Sequence, residues 1–163
     1  MRIALTFSVI ISTFIISFAQ VSLSSIDSLK LIIRNNPDGK EVVSALFRIN
    51  QLYYQQSKVD SALIYYQGLE NSYEGKEVEA VAICLSAPLL LRKSSYDEVK
   101  NRSNYVKDKF KGTRWAEESL YNLGEMYLNI YQDKETADKY FKELITDYPD
   151  GGLVNLAKIY LGN

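Results

Sequence analysis

Cys84, the adjacent carboxylates Glu117 and Glu118, and thirteen tyrosines are the residues of this 163-residue chain whose types could carry chemistry. A cysteine attacks as its thiolate and usually needs a neighbouring imidazole to reach that state. The chain contains no histidine, which leaves Cys84 without that base and removes Ser-His-Asp triads and His-ligated metal sites. One cysteine makes neither an internal disulfide nor a thiolate zinc cage. Glu117 and Glu118 read as the acidic start of a helix, favoured there by the dipole, and not as a general acid and base. The glycines form no phosphate-binding loop. No catalytic residue, metal ligand or cofactor is therefore assigned, and the chain is not expected to be an enzyme. Nineteen Lys and Arg against twenty Asp and Glu leave a net charge of −1, without the basic excess that nucleic acid requires.

The elements that could position such residues begin after an unusual N-terminus. Met1 and Arg2 precede residues 3–19, which carry no charge and end with small residues at Ser17 and Ala19. One positive residue, a short apolar core and that ending predict a secretory signal cleaved after Ala19, leaving residues 20–163. The rival is an uncleaved anchor, for which the stretch is short and lacks a basic stop-transfer cluster. A membrane enters the expected partners only in that case. Cys84 lies far from Gln20, where lipid attachment would need a cysteine.

Self-similarity organises the rest. Phe110 follows Tyr73 by 37 residues and Tyr148 follows Phe110 by 38, each with a turn-former two residues on: Gly75, Gly112 and Asp150. Ala45, Ala82, Ser119 and Ala157 repeat at the same 37, 37 and 38. Within a period the apolar residues recur at three and four, predicting two amphipathic helices per unit. Leu120, Leu123 and Tyr127 form one stripe, and Ala137, Phe141 and Leu144 the other. Pro149-Asp150-Gly151 then ends the second helix. Leu46, Ile49, Tyr53 and Ala62, Tyr66, Leu69 repeat the arrangement. These are helical hairpins in series, and most tyrosines, among them Tyr53, Tyr66, Tyr73, Tyr127 and Tyr148, fall on packing positions.

Leu120-x-x-Leu123-Gly124-x-x-Tyr127 followed by Ala137-x-x-x-Phe141-x-x-Leu144 and Pro149 resembles the tetratricopeptide repeat signature. The first unit matches through the residues above, with Asn50 in the small-residue place. The second matches through Ile83, Ala87, Leu90, Val99 and Val106, whereas Ser86 and Ser103 replace large apolar residues. The resemblance implies an all-α, right-handed superhelix of stacked hairpins over residues 20–163. It would hold units at 43–75, 80–112 and 117–150, a half-unit at 22–37 (Ser25, Leu29, Ile32, Pro37) and another at 154–163.

The resemblance also implies a concave groove lined by Phe47, Gln51, Tyr54, Val81, Cys84, Leu91, Glu118, Tyr121, Glu125, Leu128 and Ile159. Peptide-clamping members use Lys and Asn there to hold an acidic C-terminus; those residues are absent from this set, so an apolar segment or a partner helix is the expected ligand. Pro88, inside an otherwise helical run, costs the helix a hydrogen bond unless it kinks, and reads either as drift in a degenerate repeat or as a kink that opens the groove at the middle unit. Charge divides unevenly, +3 over residues 96–114 and −6 over 115–150, as a solvated face or as a means of choosing partners. With the N-terminal signal, the chain looks like the periplasmic repeat proteins of Gram-negative envelopes, including outer-membrane-assembly and Tol–Pal-associated members. The expected function is a non-catalytic protein-interaction scaffold in the periplasm or at the outer-membrane periphery. Beside it stand a self-associating homo-oligomer or a piece of a longer array, and a non-catalytic subunit of an envelope enzyme complex.

Overall fold

The computed structural model describes residues 25–162; the expected signal segment, residues 1–19, lies outside the described residues. Among these residues the chain forms eight α-helices and no strand. It divides into two compact units after Ser57.

The first unit contains α1 (Ile26–Asn35) and α2 (Val42–Gln55), which pack on each other. Ser25 caps α1 by accepting the Ser28 N–H on its side-chain oxygen at 3.2 Å, satisfying one of the free donors of the first turn. Leu29 and Ile33 are the buried residues of α1. Four residues apart, they share a face, so Ile33 takes the place expected for Ile32. Ala45, Leu46, Ile49 and Tyr53 are buried along α2.

The second unit runs α3 (Val59–Ser72), α4 (Glu77–Arg92), α5 (Tyr96–Lys109), α6 (Arg114–Asn129), α7 (Lys134–Asp147) and α8 (Val154–Leu161). Each helix packs on the next, and α4 also touches α6. This is the all-α repeat of helical hairpins that the periodicity predicts. The period is visible in the backbone itself. Ser57, Ser94 and Gln132, each between two consecutive helices, have φ of 55°, 59° and 55°, and Gly75 and Gly112, likewise between consecutive helices, have 78° and 84°. The Ser57 and Ser94 N–H groups return to carbonyls of the helix just ended, Tyr54 and Leu91, whereas those of Gly75 and Gly112 go to the Glu79 carboxylate and the Tyr148 hydroxyl.

Hydrogen bonds between hairpins span nearly the same interval. The Trp115 indole N–H donates to Glu77 at 2.8 Å, the Gly112 N–H to the Tyr148 hydroxyl at 3.0 Å, and the Leu153 N–H to Glu117 at 2.6 Å. Glu117 is buried. It holds the start of α8, a role 36 residues distant from its own helix terminus.

Leu120, Ala137, Phe141, Leu144, Val154 and Ala157 form one buried cluster. Gly124 lets α7 come this close: a Cβ there would lie 2.5 Å from Cε1 of Phe141, inside any tolerable contact. Phe141 stacks on Tyr160 with centroids 4.9 Å apart and meets Tyr121 at 6.0 Å.

Helix α4 is the centre of the second unit, buried without a break from Val78 to Ala87. A helix apolar on every side needs neighbours on every side, and α3, α5 and α6 supply them. Of the two serines that break the repeat pattern, Ser86 lies on this helix and Ser103 is buried on α5. Ser86 accepts from the Arg102 guanidinium at 2.9 Å, and the same nitrogen donates to Glu70 on α3. Ser86 thus makes room for a charged side chain that joins three helices. The basic C-terminal half of α5 likewise meets carboxylates elsewhere, Lys107 with Glu143 of α7 at 3.3 Å and Lys109 with Glu74 in the turn after α3 at 3.2 Å. Part of the charge asymmetry is paired within the molecule.

Candidate protein-binding cleft

A cleft of about 410 Å³ opens between α4 and α6, with Val99 of α5 at its base. Its α4 wall is apolar, carrying Leu85, Pro88 and Leu91, and its α6 wall is polar, carrying Glu118, Asn122, Glu125 and Asn129. Spacings of four, three and four put the polar residues on one face of α6. Pro88 is exposed inside an uninterrupted helix. Its ring removes the N–H that the Cys84 carbonyl would otherwise accept, at the point where α4 borders the cleft.

Four of the expected groove residues meet here: Cys84, Leu91, Glu118 and Glu125. The others are placed elsewhere. Val81 is fully buried and so has no surface to offer; α4 is enclosed on the side where an ordinary first helix would be open. Tyr121 and Leu128 pack against the core cluster of α6, α7 and α8. Ile159 is exposed on α8, and Phe47, Gln51 and Tyr54 are exposed on α2 in the first unit. Asn122 and Asn129 also line this cleft and are not among the expected groove residues. Their four- and three-residue steps from Glu118 and Glu125 were the available signal.

Glu118 is half-buried, and that burial holds its carboxyl above the usual range despite Arg114 one turn earlier. Among the described residues it makes no hydrogen bond or ion pair. Glu125 accepts hydroxyl donors from Tyr160 at 2.8 Å and Tyr121 at 3.2 Å, so the aromatic cluster fixes one side of its carboxylate. Both phenols are harder to ionise, Tyr160 chiefly because it donates to Glu125 and Tyr121 chiefly because it is desolvated, with Glu125 adding to it.

Cys84 is buried, with Sγ 3.9 Å from the Trp115 carbonyl and the Ser119 hydroxyl. Burial, reinforced by Glu118, pushes its thiol up to about 12. Only the thiolate is reactive, so iodoacetamide is expected to alkylate Cys84 roughly 100-fold or more slowly in the native protein than in urea. Equal rates, followed by mass spectrometry, would show that the thiol is open to solvent.

No group of His, Cys, Asp and Glu among the described residues is arranged to hold a metal ion, and no described helix is long and apolar enough to cross a membrane. The cleft sets an apolar wall on α4 against a polar one on α6. Comparison with protein families matches residues 118–151, which span most of α6 and all of α7, to the tetratricopeptide repeat. Together with the all-helical hairpin array, this supports a tetratricopeptide repeat protein, a class whose repeats generally mediate protein–protein interaction and are typically non-catalytic. No curated protein and no solved structure matches the chain.

Proposed function

We propose that this protein is a non-catalytic scaffold of a Gram-negative cell envelope, exported by residues 1–19, that holds a segment of a partner protein in the cleft between α4 and α6. The cleft carries the reading: an apolar wall on α4 facing a polar one on α6, the helix that opens the repeat matching the family. The apolar N-terminus supports export, and the resemblance to periplasmic repeat proteins supports the compartment.

Capture from envelope extract tests it, with the wild-type protein and Leu91→Asp as baits. Leu91 is half-exposed at the end of α4, so a charge there should spoil the apolar wall while leaving the fold intact by circular dichroism. Partners held by wild type and lost with Leu91→Asp are expected. Partners kept equally by both baits would move the binding surface away from the cleft. Fractionation of the host should recover the chain outside the inner membrane with the mass of residues 20–163; recovery of unprocessed protein in the cytoplasm would refute export.

A second reading is self-association through α8, favoured by Leu156 and Ile159, which stand exposed on it. Concentration-dependent sedimentation lost with Leu156→Glu would establish it.

A further inference from the structure

We propose, resting on the cleft reading above, that the bound segment is an extended stretch of a partner protein with apolar side chains and one Lys or Arg, its cation seated on Glu118 and its backbone held by Asn122 and Asn129.

The charge follows from what the cleft leaves unsatisfied. A desolvated carboxylate without a hydrogen-bonded partner is costly, and a cation brought to it makes a strong charge-assisted bond. Glu118 is in that condition, and no lysine or arginine lines the cleft. An acidic C-terminus would meet only like charge from Glu118 and Glu125.

The extended form follows from the asparagines. An Asn side chain presents one acceptor and a donor pair, which matches the N–H and C=O that a single residue of an extended chain turns to the same side. Among the described residues neither the Asn122 nor the Asn129 side chain is engaged in a hydrogen bond. Seven residues of helix at 1.5 Å each separate them by about 10 Å along α6. About three residues of extended chain at ~3.3 Å each cover the same distance, so a segment of that length reaches both amides. A helical ligand has already satisfied those groups internally. Leu85, Pro88 and Leu91 recur every three residues on the facing wall and take the apolar side chains.

The test selects a displayed library of random short peptides on the full-length protein. Selected peptides are synthesised with a fluorophore and titrated by anisotropy against wild type, Leu91→Asp, Glu118→Gln and the double variant Asn122→Ala/Asn129→Ala, each checked for an unchanged melt. The expected peptides carry Lys or Arg beside apolar residues. Their affinity should fall about tenfold or more with Glu118→Gln and by a similar factor with the asparagine pair. Peptides displaced by Leu91→Asp but indifferent to Glu118→Gln would overturn the cationic segment while leaving the cleft as a binding site. Sensitivity to Glu118→Gln with none to the asparagine pair would overturn the extended backbone. Binding unaffected by every variant, or no binders at all, would overturn the cleft reading and this inference together.

Discussion

Phe141→Ala is expected to destabilise the second unit by about 3–5 kcal/mol, the usual loss for emptying a buried aromatic site. Phe141 is fully enclosed by the core cluster of α6, α7 and α8. Its ring also lies flat on Tyr160, with an interplanar angle of 5°. Gly124 is shaped to this ring, so the helices cannot simply close over the gap without rebuilding the α6–α7 contact. Tyr160 would lose its stacking partner, and with it the fixed position from which it donates to Glu125 at the cleft rim. A domain whose total stability is about 5–15 kcal/mol would lose much of it. Urea unfolding followed by circular dichroism reads the effect, and a loss under about 1 kcal/mol would show that Phe141 is not packed as described.

Arg102→Met should cost about 2–4 kcal/mol, somewhat below the loss for breaking a fully buried ion pair because both groups keep some exposure. The Arg102 guanidinium reaches Glu70 on α3, Ser86 on α4 and Glu98 on its own helix. Removing it strands Glu70, whose carboxyl burial already holds above the usual range with Arg102 beside it. Without that cation the folded-state value rises further. A carboxyl whose folded pKa exceeds its unfolded value destabilises the fold as pH rises past the unfolded value, and protonation relieves the penalty. The loss should therefore be larger at about pH 7 than at about pH 5. Adding Glu70→Gln to Arg102→Met should recover part of it. A loss equal at both pH values would assign the effect to packing of the Arg102 stem.

Much of this arrangement can be read from spacing alone. The interval of 37 and 38 residues reappears in the left-handed turn residues, and the Gly112 and Leu153 hydrogen bonds between hairpins of the second unit span 36, one residue short of it. Leu46, Ile49, Ala62, Tyr66, Leu120, Leu123, Phe141 and Leu144 are all buried as their three- and four-residue steps predict. Ser86 and Ser103 read as flaws in the second unit. Ser86 is a place made for Arg102, whose partner lies 32 residues away on another helix. No local pattern identifies such a pair. Glu117 is a similar case, an acidic helix start in sequence and the holder of α8 in three dimensions.

The groove was the least legible part. Periodicity determines which residues of a helix share a face, so the hairpin array and its core follow from the chain by itself. It does not determine which faces their neighbours leave uncovered. That was decided by tertiary packing, since burial depends on every helix that reaches a surface. Helix α4 is enclosed by α3, α5 and α6, which buries Val81 and leaves Leu85, Pro88 and Leu91 beside the cleft. On α6, the aromatic cluster draws Tyr121 and Leu128 toward α7 and α8, and the face that remains open is the one bearing Glu118, Asn122, Glu125 and Asn129.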